Sequence, residues 1–359
     1  KYRTWAVITN NGSEYWPDYP GLGFDDNAFY VTSNLFGFNG GFLGAMYRIF
    51  PKSAMLAGNP VNVTDLNDPS SASVQVAQCL DSRSTPLLVS KRNSTQLRIQ
   101  TIQAPVSIIP NLVTADVDIP GYQNPNSSAP NLDGGDLSTL DGRIMNAMYR
   151  DGTLWTAHAV RGTDDNTKAR WYQFDVDGFP PTSQPTLIQA GDIDMGSGNF
   201  AFFPAIAANR YGDAGMVFAR SNASEYASIQ VSGRRSDDPL GTMGIPVLVK
   251  SGEAGTEGRW GDYFDITVDP IDDTTFWLVG EYATTFDGTV GWQTWIGTLE
   301  VSCPGDVDGS GGVSVDDILL VLKNYGSTGT DGDASGDGLV DVNDVLLVIS
   351  SWGNCPGTP

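Results

Sequence analysis

The chain has 359 residues, enough for one large domain and a small second one, and carries 42 Asp and Glu against 20 Lys and Arg, a formal net charge of −22. That balance argues against nucleic acid and anionic membrane surfaces as partners, and no apolar run is long enough to span a bilayer. With 42 Gly, 21 Pro and nine Trp, and few helix-forming stretches before residue 315, the composition predicts a mostly β body with many turns.

Residues 1–9 (KYRTWAVIT) alternate like a strand without a preceding partner. Residues 16–36 read as strand, Asp turn and strand, and residues 40–50 as a third strand. The same plan recurs at 73–80, 85–91 and 95–102, at 142–160 with 169–176, and at 200–221 with 226–234. It returns at 260–282 with 289–301, where Trp260, Asp262, Tyr263 and Asp269 match Trp16, Asp18, Tyr19 and Asp25. Self-similarity at roughly 45–60 residues predicts a β-propeller over residues 1–301, of five to seven blades with five visible. Its closure is expected where residues 1–9 lie beside residues 292–301. Two packed sheets are the alternative, and they leave the repeated Trp-x-Asp-Tyr unexplained. The Pro/Asn/Ser/Gly-rich residues 117–138 predict a long loop, and residues 235–258 a second excursion.

His158, the only histidine, falls on a predicted strand. Alone it makes neither a zinc site nor a Ser-His-Asp triad, and no P-loop or dinucleotide fingerprint is present. Asp18, Asp262 and Glu281 sit near the ends of predicted inner strands; they are the candidate catalytic carboxylates if the central channel handles sugars, a chemistry that needs paired carboxylates. Their other reading is structural, with Asp18 and Asp262 capping turns by accepting backbone N–H groups. Through GRWGDY (258–263) and the rhythm of the units, this part resembles secreted sialidase-like propellers. The resemblance implies an arginine clamp for a carboxylate, for which Arg143, Arg161, Arg210 and Arg259 are candidates. TFDGTVGW (285–292) departs from that family's repeated Asp motif by a glycine one place early.

The last part of the chain, residues 302–359, is predicted to be a separate module. CPGDVDGSGGVSVDDILLVLKNYG and GDASGDGLVDVNDVLLVISSWGNC align at an offset of 27 residues. Each half reads as a calcium loop followed by a helix, with oxygens at alternating positions and glycine at the sharp turn. The first loop offers Asp306, Asp308, Ser310, Gly312, Ser314 and Asp317, with Gly311 at the turn. The second offers Asp333, Ser335, Asp337, Leu339, Asp341 and Asp344, with Gly338 at the turn. Val313 and Val340 stand where paired loops meet. Apolar helix faces are predicted from Ile318, Leu319, Val321 and Leu322, and from Val345, Leu346, Val348 and Ile349. Two Ca²⁺ ions are expected to supply much of the folding energy of so small a unit.

Loop then helix, twice, with Asp closing each loop and no helix before it, resembles the type I dockerin family. The resemblance implies docking onto a cohesin module in an extracellular assembly. The positions that select the cohesin hold Val315 and Asp316, and Val342 and Asn343, in place of the Ser-Thr pair common in cellulosomes. A disulfide between Cys303 and Cys355 is expected to bracket the module, leaving Cys79 as a buried free thiol. A disulfide and millimolar calcium together place the protein outside the cell or on its surface, and a chain beginning at Lys1 reads as a processed or partial product. The function expected is that of a secreted structural subunit. It would dock onto a cohesin-like receptor or onto another copy of itself, the latter giving a filament. The alternative is a dockerin-bearing carbohydrate-active enzyme, a glycoside hydrolase or sialidase-like, with its site in the channel.

Overall fold

The structure is a computed structural model; it describes residues 8–10, 13–107, 109–262, 264–286, 289–301, 303, 305–310 and 312–354. The chain is mostly β, and its strands group into five antiparallel units taken in chain order. Unit I joins β1 (Ile8–Asn10) to β2 (Ser13–Phe24), β3 (Ala28–Gly37), β4 (Phe42–Pro51) and β5 (Thr64–Asp68), with a short helix α1 (Lys52–Leu56) before β5. Unit II opens with β6 (Gln75–Val76), continued by β7 (Gln78–Cys79), and adds β8 (Leu87–Lys91), β9 (Gln96–Gln103) and β10 (Asn111–Asp118). A small ribbon of β11 (Ser128–Ala129) and β12 (Leu137–Ser138) precedes unit III. That unit is β13 (Ile144–Arg150), β14 (Thr153–Arg161), β15 (Thr167–Asp175) and β16 (Thr186–Ile193). Unit IV is β17 (Phe200–Ala208), β18 (Ala214–Asn222), β19 (Glu225–Arg234) and β20 (Val247–Lys250). Unit V has three strands, β21 (Asp265–Val268), β22 (Phe276–Phe286) and β23 (Thr289–Leu299).

The first strands of the units lie side by side in the order β2, β6, β13, β17, β21, and β7 bonds in parallel to both β2 and β13. Large rings fill the seams between units, as the aromatic content suggested. Trp155 and Trp171 stack with centroids 5.9 Å apart in a cluster that includes Ile206, Met216 and Phe218 of unit IV. Phe202, Trp260 and Phe264 meet edge to face between units IV and V. Strands β14, β17 and β18 are buried along almost their whole length, which is why they read as continuous apolar runs. In units I and V the turn that ends the first strand is set by an aspartate, and in unit IV by Asn209, which accepts from the N–H of Tyr211 (2.9 Å) and Asp213 (3.1 Å). Asp25 accepts from the N–H of Asn27 (2.7 Å) and Ala28 (2.8 Å), and Asp269 accepts from Ile271 (2.7 Å).

The middle of the body is spanned by side chains. Tyr19 donates its hydroxyl to the carbonyl of Ile144, 2.8 Å away in unit III, under the Arg143 guanidinium at 4.5 Å from the ring. Tyr19 takes φ 52°, Ser73 50° and Phe203 52°, and the ladders of β2 and β17 slip at Asp18/Gly21 and Phe202/Ala205. Each slip carries a proline, Pro20 and Pro204, which has no N–H to leave unpaired. Replacing Tyr19 by Phe is expected to lower stability by about 1 kcal/mol, since the hydroxyl no longer donates to the carbonyl of Ile144; the urea midpoint of unfolding measures it.

Of the expected closing strand, residues 1–7 lie outside the described residues; residues 8–10 pair with β2, through Ile8↔Tyr15, Thr9↔Glu14 and Asn10↔Ser13. Two other expectations are corrected. Units I to IV each carry a fourth strand that the three-strand reading omitted. One of these, β10, takes in residues 117 and 118, so the predicted loop begins later, and it is broken by the β11–β12 ribbon.

The last part of the chain holds α2 (Val315–Lys323), α3 (Val342–Ser350) and a short pair of β24 (Gly312–Val313) with β25 (Gly353–Asn354). Val313, Val321, Ala334, Val340 and Val348 form its core. Val313 and Val340 share that core, but their backbones do not pair with each other. Val313 pairs with Gly353, after α3. Val340 accepts from Gly326, after α2 (2.8 Å), and donates to Ser327 (3.0 Å). Each loop is thus clipped to the exit of the other repeat's helix.

Candidate functional site

In each repeat one buried aspartate closes the loop. Asp317 accepts from the N–H of Asp308 (3.1 Å) and Ser314 (2.7 Å). Asp344 accepts from Ser335 (2.8 Å) and Asp341 (2.6 Å), the same positions 27 residues on. Both carboxylates are fully buried. Burial would raise Asp344, but the N–H groups of Asp341 and Ser335 outweigh it and hold the carboxyl below its ordinary range. Ser314 and Asp341 cap the following helices, each in a capping box with the buried aspartate. In the first loop Asp306, Asp308 and Asp317 bring one carboxylate oxygen each to within 4.8 Å of one another. Ser310 donates to Asp306 (2.8 Å) and Asp308 (2.9 Å) through its N–H. In the second, Asp333 accepts from the N–H of Gly336 and Gly338, each at 2.8 Å. Asp337 accepts from Leu339 (2.9 Å). An all-oxygen donor set with buried carboxylates suits a hard divalent cation. Gly311 and Cys355 lie outside the described residues, and with Cys355 the expected Cys303–Cys355 bridge. Cys79 is a buried free thiol, pushed up to about 12 chiefly by burial.

The helices after the loops show something the sequence did not separate from core. Val321 and Val348 are buried, yet Val315, Leu319, Leu322 and Tyr325, and 27 residues later Val342, Leu346, Ile349 and Trp352, are all between 52% and 58% exposed. Leu319, Leu322, Leu346 and Ile349, which belong to the predicted apolar faces, therefore look out. Two matching apolar stripes result, one on each helix. The module and the β body share the lining of a cavity of about 480 Å³, with Arg210, Tyr211, Asp213 and Arg235 from the body and Asp306, Asp333 and Gly336 from the module.

The candidate catalytic carboxylates are placed less convergently. Asp18 is exposed, close enough to Arg143 to support its charge. Arg143 itself is held by Asp141 at 2.8 Å. Asp262 bonds Arg259, and its Oδ1 is buried without a hydrogen-bond partner. Glu281 accepts from the N–H of Gly261 at 3.1 Å, and burial, with Asp262 nearby, raises its carboxyl above the ordinary range. Neither Asp18 nor Asp262 has a described bond to a turn N–H; Asp25 and Asp269 do that work. Arg161 pairs with Asp165 and Arg210 stacks on Tyr211, so the four candidate clamp arginines are held by four different neighbours. Two polar groups were not foreseen. Asp265, raised by burial, lies within 3.5 Å of the Gln78 amide, and Thr267 approaches the same side chain at 3.5 Å. His158 is wholly buried between the carbonyl of Gly142 (2.9 Å) and the hydroxyl of Tyr172 (3.0 Å), a core residue.

No protein-family model matches the chain, and no curated protein matches it. Among solved structures it is similar to a protein of unknown function from Dyadobacter fermentans DSM 18053, with 11% identity over 82% of each chain and a TM-score of 0.46. It is also similar to a subtype N10 neuraminidase-like protein of A/little yellow-shouldered bat/Guatemala/060/2010, with 10% identity over 81% of this chain and 85% of that one and a TM-score of 0.35. A thermostable family-43 glycoside hydrolase gives 12% identity over 77% and 92%, with a TM-score of 0.35. At these identities and TM-scores the likenesses assign neither a family nor an activity.

Proposed function

We propose that the protein is a secreted, calcium-binding structural subunit, a propeller body closed between units V and I and tethered through a dockerin-like module into an extracellular assembly. Two Ca²⁺ ions would be held by Asp306, Asp308, Ser310, Gly312 and Asp317, and by Asp333, Ser335, Asp337, Leu339 and Asp344. The observation that carries the reading is the pair of exposed apolar stripes on α2 and α3, repeated residue for residue at the spacing of the loops. Apolar surface left out on both helices of a metal-ordered module fits a protein partner better than solvent. That partner is a cohesin-like receptor or the next copy of the chain. Tyr19 and Gln78 crossing the middle of the body favour a scaffold over a substrate channel.

Light scattering and negative-stain microscopy in millimolar Ca²⁺ and in EDTA test it. Large particles that fall to monomers in EDTA establish self-docking, and a monomer captured by a cohesin only with Ca²⁺ establishes a receptor. A monomer in both conditions that no cohesin captures overturns the docking function.

One observation favours the second reading, a carbohydrate-active enzyme. A half-buried Glu281 with a raised carboxyl, beside an Asp262 whose Oδ1 is buried without a hydrogen-bond partner, places two carboxylates together as acid and base roles require. If a glycoside screen finds activity, Glu281→Gln is expected to lower kcat by roughly a hundredfold or more; an unchanged kcat removes Glu281 from the chemistry.

A further inference from the structure

Among the described residues unit V differs from the other four in having three strands, and its outer strand β23 is long, about 36 Å at ordinary strand rise. Among the described residues β23 pairs only with β22, so no described strand covers its other edge. Natural edges of this kind are guarded by lysine, proline or a bulge; Thr289–Leu299 contains none of the chain's charged residues and no proline, and its pairing with β22 runs without a slip. One face makes contacts within the body, where Gln293 accepts from Tyr282 (2.8 Å) and Trp295, still 43% exposed, packs edge to face on the same ring under Lys250. The other face is open, with Trp292 65% and Ile296 67% exposed.

We propose that β23 is a strand-addition surface whose occupant is the β23 of a second copy, paired antiparallel about Thr294. The strand is close to its own reverse around that residue. Gly291 mirrors Gly297, Val290 mirrors Thr298, Trp292 mirrors Ile296 and Gln293 mirrors Trp295. A two-fold axis at Thr294 therefore sets glycine against glycine, two β-branched residues together, and tryptophan against isoleucine twice, the cross-strand pairs that stabilise sheets. Neutrality matters as well: two chains each of net charge −22 can approach closely only over an uncharged patch. Beside the strand, a groove of about 810 Å³ continues the surface, lined by Ile245, Val247, Leu248, Leu299 and Val301 together with the charged Arg234, Arg235, Asp238 and Glu300. The surface lies in the β body and owes nothing to the calcium loops.

Sedimentation equilibrium of the full chain in EDTA tests it, because docking through the calcium module is absent there. The expected result is a reversible monomer–dimer equilibrium in the micromolar range. Trp292→Lys and Ile296→Glu, both at exposed positions, are each expected to weaken it roughly tenfold or more. A mixture of the two variants should dimerise better than either alone, because only the mixed pair sets Lys against Glu across the axis while keeping one Trp–Ile pair. A wild-type chain that stays monomeric overturns the proposal. So does a mixture no tighter than its components, and so does dimerisation that appears only when residues 1–7 are deleted, which would assign the edge to the chain's own beginning.

Discussion

Excess EDTA is expected to release residues 306–350 to fast hydrogen exchange while β14, β15, β17 and β18 stay protected. The small module has a core of five buried side chains, too little to hold it without a metal. Three carboxylates of its first loop, Asp306, Asp308 and Asp317, bring an oxygen each to within 4.8 Å of one another, a gathering of like charge that a cation relieves. An ion bound a thousandfold above its dissociation constant adds about 4 kcal/mol per site, comparable to the whole stability of a domain this size. Asp317→Ala and Asp344→Ala should reproduce the EDTA result in millimolar Ca²⁺. Each removes a proposed ligand and also strands two loop N–H groups, Asp308 and Ser314 in one case, Ser335 and Asp341 in the other. Protection of α2 and α3 that survives EDTA would sink the calcium assignment.

Lowering the pH from 7 to 4 in excess Ca²⁺ should cost the β body roughly 3 kcal/mol through His158 alone. Burial pushes this imidazole down to about 4, with Arg170 and Lys91 adding to the depression and the Gly142 carbonyl opposing it. A carbonyl can only accept, so Nδ1 carries the proton and Nε2 accepts from Tyr172. The unfolded chain takes up a proton near pH 6.5, whereas the folded chain does so only near 4. Stability from this residue is complete above about 6.5 and is lost as pH falls through that window, levelling off once both states are protonated. Urea unfolding of wild type and His158→Gln across the window measures the difference; parallel pH profiles would remove His158 as the cause.

The first three strands of each unit were legible because Trp, Tyr, Val and Ile alternate or run together between Asp turns. The fourth strands were not. β5 reads Thr-Asp-Leu-Asn-Asp and β20 is four residues long after a Gly/Pro-rich stretch, and outer strands with one covered face carry little apolar signal. The loop ligands stood out because cation geometry fixes their spacing. The outward stripes did not, since Leu319 and Leu346 look like core on any helical wheel; only the packing of Val321 and Val348 shows which face is spent. Gln78 and Asp265, 187 residues apart, meet through topology alone.

The crossed clips of the module have a consequence for how it responds to calcium. Val313 is tied to the chain leaving α3 and Val340 to the chain leaving α2, so neither half can be ordered while the other is undone. Two ions that never touch would then report on one another through the backbone. A titration should show a single steep rise rather than two independent saturations, and the module would behave as a threshold detector for its ion, with nothing graded between detached and engaged.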